Sequence, residues 1–165
     1  MLTLEKINKI KDPIKRRKLK EDLVEADEAA DRKEAQDDFL TFVKQMWPQF
    51  IEGEHHKRIS DKFNKLASGE ITRLIINMPP RHTKSEFSSY FLPAWMIGKN
   101  PALKIIQATH TAELAISFGR KTKNLIDSAE YQKIFKTRLQ EDSKAAGRWN
   151  TSEQGEYFAV GVKGA

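Results

Sequence analysis

Residues 71–85, ITRLIINMPPRHTKS, constrain the fold more than any other stretch of the chain. An apolar run leads into a Pro-Pro turn, and Lys84 and Ser85 then open a helical segment. A nucleotide-phosphate site has this outline, with inward-turned backbone N–H groups, a lysine for the β- and γ-phosphates, and a neighbouring hydroxyl for Mg²⁺. The order of residue types therefore indicates a strand, a phosphate-binding loop and a helix in succession.

The loop departs from the GxxxxGK[ST] pattern at both glycines. Residues 78–85 read MPPRHTKS, which places Met78 and Thr83 at the glycine positions. Thr83 can be accommodated if the nearby φ angles stay negative, and Arg81 could bind phosphate oxygens through two N–H groups. A surface turn, in which Lys84 merely begins a helix, is the alternative. The loop residues alone leave both interpretations open.

The segments around the loop favour the phosphate site. Residues 74–76 form a continuous apolar run, which is typical of a parallel strand covered on both faces. Residues 84–97 predict a helix and residues 103–108 a second strand, at the spacing that a βαβ crossover requires. Thr111 is placed to cap a further helix at residues 112–126. Ligands of open parallel sheets bind at the carboxyl ends of the strands, which is where the loop falls.

The rest of the chain divides into an arm and a packed domain. Residues 1–38 predict a helix interrupted at Asp12-Pro13, with a basic block, an acidic stretch and a thin apolar stripe. Such an arm is either a solvated helix held by i,i+4 ion pairs or a docking element for a partner protein or DNA. Residues 39–165 form the packed domain, which begins with an apolar helix face and ends with a strand at residues 157–162.

Composition excludes several classes of protein. The 165 residues include no cysteine, which excludes disulfides and thiolate zinc sites and favours a reducing, intracellular compartment. The charged N-terminus lacks the apolar core of a signal peptide, and no run of about 18 apolar residues could span a membrane. We therefore expect a soluble protein that is neither secreted nor in a membrane. Its net charge of +6 favours a polyanionic partner such as nucleic acid.

Four segments resemble one known family. They are HHKRISDKF, LASGEITRLIINMPPRHTKSE, QATHTAELAISFGRKTKNLI and GEYFAVGVKGA, and the resemblance covers residues 40–165. They are similar to the ATPase domain of the large terminase subunit of tailed double-stranded DNA bacteriophages, whose members commonly carry a phosphate loop of the PPRxxKS kind. The resemblance implies an α/β fold, a P-loop (ASCE-type) parallel sheet flanked by helices and incomplete at the C-terminus. Residues 1–38 would be a helical arm and residues 39–165 the N-terminal part of the ATPase domain.

The resemblance also implies an activity, namely ATP hydrolysis that drives double-stranded DNA into a capsid. The family works in the host cell cytoplasm as a homo-oligomeric ring on the portal protein, with the small terminase subunit, and uses ATP and Mg²⁺. Arg81 and Lys84 would then be catalytic residues, Lys84 at the β- and γ-phosphates and Arg81 at the γ-phosphate. Ser85 would be the magnesium ligand.

The nucleotide contacts that the resemblance implies lie in two places. The loop supplies Pro80, Arg81, His82, Thr83, Lys84 and Ser85. Upstream of the first strand, Phe50 and His55 match the position at which the family contacts the adenine or ribose; the alternatives are a packing aromatic and a surface histidine. Thr109, His110 and Thr111 match a helicase-like motif, or else they are a strand end and a helix cap.

The sequence departs from the family at the second half of the active site. No apolar run ending in two carboxylates follows the last predicted strand, so the Walker B carboxylate and the catalytic glutamate are missing, as are the nuclease carboxylates. We therefore expect a fragment or truncated product with little or no hydrolysis by itself. The alternative function is a non-catalytic basic module that binds nucleic acid or a partner protein.

Overall fold

The computed structural model describes residues 7–143 and 145–162, and the chain separates into two compact units, Met1–Glu34 and Ala35–Ala165. Helix α1 spans Pro13–Asp37. Proline is well tolerated at the first position of a helix, and the Asp12 carboxylate caps this one by accepting from the N–H groups of Ile14 (2.9 Å) and Lys15 (3.2 Å). Most of α1 is exposed, and an Arg17–Glu21 pair at 2.9 Å is of the i,i+4 kind expected for a solvated helix.

The second unit contains several helices and a small sheet. The helices are α2 (Phe39–Met46), α3 (Glu54–Ala67), a π-helix (Glu86–Phe91) that continues directly into α4 (Leu92–Lys99), α5 (Ala112–Ile126) and α6 (Ala129–Ile134). Side chains fix where α2 and α3 meet, because Asn64 Oδ1 accepts from the Phe39 N–H at 2.9 Å and Asn64 Nδ2 donates to Asp38 Oδ1 at 2.8 Å.

The described strands form one mixed sheet. They are β1 (Lys104–Thr109), β2 (Arg148–Asn150) and β3 (Glu156–Gly161), in the order β1-β3-β2. β1 and β3 are parallel, with Lys104 opposite Glu156 and Thr109 opposite Gly161, whereas β2 runs antiparallel to β3. The strands expected at residues 103–108 and 157–162 are confirmed to within one residue, and β2 was not expected.

The strand expected at residues 74–76 is wrong. These residues belong to no strand or helix, and Ile75 is 87% exposed while Leu74 and Ile76 pack partly against the core. Apolar β-branched residues favour a strand only where a neighbouring strand offers its backbone groups. No described strand pairs with this segment, so it stays an extended connection that leads from α3 to the loop.

Aromatic side chains form the core beneath the loop. Phe39 meets the rings of Phe63, Phe87 and Trp95 edge-on, with centroids 5.0–5.5 Å apart. Trp95 is fully buried and donates its indole N–H to the Ala35 carbonyl at 2.9 Å. Edge-on aromatic pairs and a satisfied indole are favourable arrangements in a core. These contacts pack α2, α3 and the π-helix, which follows the loop, into one core.

Helix α5 covers one face of the sheet. Its Gly119 lies against this face, and its carbonyl accepts from the Trp149 indole at 3.2 Å, while the Trp149 and Tyr157 rings stack 4.8 Å apart. The opposite face is open, since Ile106 is 73% and Phe158 39% exposed. Among the described residues, no helix combines the length and apolar character needed to cross a membrane.

Candidate phosphate-binding site

The loop at residues 78–85 has a backbone that is unusual for residues other than glycine. Arg81 has a φ of 65° and Thr83 a φ of 59°, both in the left-handed region. The condition of negative φ angles, under which the sequence could accommodate Thr83, is therefore not met. A β-branched residue rarely adopts this conformation, which glycine adopts without steric cost. Thr83 thus takes a glycine-like backbone at the position where the GxxxxGK[ST] pattern has its second glycine.

Hydrogen bonds from both sides hold Thr83. Its hydroxyl donates to the His82 carbonyl at 2.7 Å and lies 2.7 Å from His56 Nε2. The other ring nitrogen of His56, Nδ1, accepts from the Gly53 N–H at 2.9 Å. Since Nδ1 is an acceptor, the proton of the neutral ring must be on Nε2, which therefore donates to the Thr83 hydroxyl.

His56 is held in a mostly apolar environment. It is 5% exposed, and its ring centroid lies 4.7 Å from that of Phe50 and 5.0 Å from that of Phe87. Burial lowers the pKa of His56 below its ordinary value, and the neighbouring His55 and His82 lower it further, against an opposing effect of Glu52. The ring is accordingly neutral at neutral pH, as the hydrogen bonds require.

Lys84 reaches back over the loop. Its Nζ lies 3.5 Å from the Met78 carbonyl, which is a long contact, and it forms no salt bridge with the described carboxylates. Arg81 is exposed and likewise unpaired within the described part of the chain. Two cationic side chains therefore flank the loop with their charges available to an anion.

The loop ends at the beginning of a continuous helical stretch, residues 84–99. In its first hydrogen bond the Phe87 N–H donates to the Thr83 carbonyl at 2.9 Å, so the N–H groups of Lys84, Ser85 and Glu86 precede it. These three N–H groups donate to no protein acceptor in the described residues. Free N–H groups at a helix N-terminus attract anions through their partial positive charge.

A π-helix follows the loop immediately. Residues Glu86–Phe91 have the wider π pattern, and the Ser88 hydroxyl donates to the Lys84 carbonyl at 2.7 Å. Short π-segments occur often at functional sites, because they re-aim the residues beside them. The π-segment separates Lys84 and Ser85 from the regular α4.

The two nucleotide contacts expected upstream of the loop lie in different environments. Phe50 is half-buried and packs on Trp47 (5.4 Å) and Phe87 (5.5 Å), which is the packing alternative. His55 is brought to the loop, with its ring centroid 5.6 Å from that of His82. His55 also lines a groove of about 290 Å³ together with Arg58, Ile59, Leu74, Ile76 and Met78.

Thr109 and Thr111 follow the alternative of a strand end and a helix cap. The Thr111 hydroxyl accepts from the Leu114 N–H at 3.3 Å and caps α5, as its position in the sequence predicts. The Thr109 hydroxyl donates to the Thr111 carbonyl at 2.7 Å. Both hydroxyls therefore have local structural partners.

Ser85 is exposed at the start of the helical stretch, where a hydroxyl could meet a metal ion carried by a nucleotide. Within the described ranges, no group of three or more His, Cys, Asp or Glu side chains could hold a metal ion in the absence of a nucleotide. Mg²⁺ is usually bound through substrate phosphates, waters and one or two protein oxygens, so one hydroxyl is compatible with it. Glu86, the carboxylate beside Ser85, is engaged with Lys121 Nζ at 3.1 Å.

His56 is the residue of the site that the sequence did not reveal. Its only signal was the pair of adjacent histidines after Gly53, and one histidine of such a pair is not distinguishable from the other without the fold. No protein-family model, curated protein or solved structure matches the chain.

Proposed function

We propose that residues 78–85 bind the phosphates of ATP, and that the chain belongs to the ATPase domain of a phage large terminase subunit. The observation that carries the proposal is the φ of 59° at Thr83, because backbone strain of this kind clusters at ligand-binding sites. Three N–H groups and two cationic side chains around the same loop also support it, since none of the described residues supplies an acceptor to the former or a carboxylate to the latter. The PPRxxKS loop and the other terminase-like segments support the choice of family.

In this proposal each loop residue has a distinct role. Lys84 turns from the Met78 carbonyl to the β- and γ-phosphates, and Arg81 binds oxygens of the γ-phosphate. The Ser85 hydroxyl ligates Mg²⁺ bound to the same phosphates. Pro80, His82 and Thr83 contribute backbone shape, and His55 lies where a base or ribose could contact the groove beside the loop.

The proposed biological role is that of the terminase family. ATP hydrolysis would be coupled to the translocation of double-stranded DNA into a capsid, by a ring of subunits on the portal protein with the small terminase subunit. Hydrolysis needs a carboxylate to orient the attacking water. The sequence has no apolar run that ends in two carboxylates after the last strand, so we expect the 165-residue chain to bind ATP with little turnover.

Replacement of Lys84 tests the proposal. Charge-assisted hydrogen bonds contribute about 1.5–3 kcal/mol, so Lys84→Ala should weaken Mg²⁺-ATP binding by roughly 10- to 100-fold in calorimetric titration. Lys133→Ala, which removes an exposed lysine from α6, is the matched control and should bind as the wild type does. Equal affinity of the wild type and Lys84→Ala would reject the phosphate site.

The net charge of +6 supports a second candidate, a basic module that binds nucleic acid without catalysis. Binding of this kind weakens steeply with salt, because counterions released from the phosphates must be recaptured. Salt-sensitive DNA binding that is equal in the wild type and Lys84→Ala, together with no binding of ATP, would favour this module over the ATPase.

A further inference from the structure

The loop contains a conformation that its own sequence does not favour. Thr83 is β-branched and has a φ of 59°, so a free peptide of this sequence would rarely adopt the loop geometry. Something outside the loop must stabilise it. The described contact that reaches Thr83 from a distant part of the chain is the hydrogen bond from His56, which precedes it by 27 residues.

We infer that His56 is a positioning residue that holds Thr83 in the left-handed conformation and so takes over the function of the missing second glycine. The inference rests on the proposed phosphate site and adds the residue that keeps this site assembled. His56 contacts Thr83 and is not proposed to contact phosphate.

The hydrogen bonds around His56 have one consistent direction. The Gly53 N–H donates to Nδ1, Nε2–H donates to the Thr83 hydroxyl, and that hydroxyl donates to the His82 carbonyl. Only the Nε2–H tautomer satisfies all three bonds, since an Nδ1–H ring would leave the Gly53 N–H facing another donor. A buried unsatisfied donor is costly, so the tautomer and the loop conformation stabilise one another.

The ring of His56 cannot easily move away from Thr83. Phe50 and Phe87 lie against it, and Phe87 belongs to the π-helix directly after the loop. The Gly53 N–H fixes the opposite edge of the ring at the start of α3. The hydrogen bond from His56 to Thr83, which we call the clamp, therefore connects the N-terminus of α3 to the residue that precedes Lys84.

The clamp has a direct consequence for anion binding. Left-handed residues within a turn bring successive N–H groups to one concave side, which is the arrangement that binds anions. If Thr83 relaxed to a negative φ, the N–H groups at the start of the helix would no longer be aligned with the rest of the loop. Loss of the clamp should therefore weaken phosphate binding without removing any group that touches phosphate.

A double-mutant cycle tests the inference, with Mg²⁺-ADP as the probe. His56→Ala should weaken binding about tenfold, the effect of one lost buried hydrogen bond. Thr83→Gly should bind at least as well as the wild type, because glycine adopts the left-handed conformation unaided. In the Thr83→Gly background, His56→Ala should change the affinity less than about twofold. The same tenfold loss in both backgrounds would show that His56 acts through packing alone, and would overturn the inference.

Two further measurements keep the test independent of nucleotide binding and of folding defects. Long-range ¹⁵N–¹H spectra of the ligand-free wild type should show His56 as the Nε2–H tautomer, and an Nδ1–H tautomer would contradict the clamp. His56→Gln, which keeps a side-chain N–H donor, should bind more tightly than His56→Ala; equal affinities would contradict it. If the wild type binds no nucleotide, the proposed function fails, whereas the tautomer still decides whether the clamp exists.

Discussion

Arg81 and Thr83 hold backbone conformations that cost the folded chain stability. Residues other than glycine in the left-handed region carry roughly 1–3 kcal/mol of strain when the surroundings enforce them. Thr83 has a hydrogen bond that offsets part of this cost, whereas the Arg81 side chain has no described partner. Replacement of Thr83 therefore removes a stabilising hydrogen bond, whereas replacement of Arg81 removes none among the described residues.

Replacement of Arg81 should separate stability from binding. Arg81→Gly should raise the free energy of unfolding by about 0.5–1 kcal/mol in urea titrations, because glycine relieves the strain at a φ of 65°. The same change should weaken ATP binding through loss of the guanidinium. Arg81→Ala is the matched variant, since it removes the charge and keeps a Cβ. It should weaken binding without the gain in stability, and a similar gain in both variants would contradict the argument.

The depressed pKa of His56 predicts a pH dependence of stability. Its pKa is lowered in the folded state by burial and by His55 and His82, so the unfolded chain takes up the proton first. The stabilisation is complete above the ordinary value near 6.5 and decreases as the pH falls from there through the folded pKa. Urea midpoints between pH 8 and 5 should show this decrease in the wild type.

Two variants test whether His56 causes this pH dependence of stability. His56→Gln should flatten the decrease below pH 6.5, while His110→Gln, which removes an exposed histidine after β1, should retain it. Identical pH profiles for the wild type and His56→Gln would show that other groups are responsible.

Sequence reasoning placed the loop and the start of the helix after it, and missed the backbone conformation of the loop. The order of an apolar run, a turn, Lys84 and Ser85 is a local pattern, and the loop and helix start are where it placed them. The left-handed φ of Thr83 depends on a hydrogen bond from His56, which no local pattern encodes. The position of the loop was therefore predictable from local residue types, whereas its geometry was not.

At the scale of elements, the dependence on a distant partner also explains why the strand expected at residues 74–76 is wrong. Strands β1 and β3 were predictable, because each is an apolar run and the two pair with one another. A strand is defined by its partner, and the described sheet offers none to the segment beside the loop. The parallel ASCE strand order stays a prediction.

Gly119 gives a prediction for the contact between α5 and the sheet. A Cβ at this position would lie 2.6 Å from the Ala146 carbonyl oxygen and 3.1 Å from Tyr157 Cε1. Gly119→Ala should therefore lower the free energy of unfolding by about 1–2 kcal/mol, since the clash with backbone outweighs the better helix propensity of alanine. Urea denaturation measures the change.

A second substitution in α5 is the control. Ser117→Ala, on the exposed side of the helix, should be neutral or slightly stabilising for the same reason of propensity. Destabilisation of equal size in both variants would indicate that α5 tolerates no substitution. It would contradict the claim that Gly119→Ala acts through a clash with the residues packed against it.

At the scale of the whole molecule, the second unit has a buried aromatic core and a sheet face whose apolar side chains are uncovered. The open face of the sheet carries Ile106 and Phe158 in one register row, and Val162 beyond β3 is 76% exposed. No described strand lies beside the outer edge of β1. Open edges and apolar faces of this kind promote association between copies.

A single substitution on the open face should reduce such association. Ile106→Thr keeps a β-branched residue in β1 and removes apolar surface. We expect sedimentation velocity to show less concentration-dependent association for this variant than for the wild type. Ile51→Thr is the matched control, because Ile51 is 86% exposed in the connection before α3. Equal behaviour of the two variants would show that the sheet face is not responsible.

The parallel pairing of β1 with β3 also determines the order in which the second unit can assemble. Lys104 meets Glu156 across a crossover that contains α5, α6 and β2, so the two strands gain nothing from their contact until this long loop has closed. The helices and the β2–β3 pair depend on nearer contacts and can form earlier. We therefore expect the β1–β3 pairing to form late in folding, and substitutions at this pairing to change mainly the rate of unfolding.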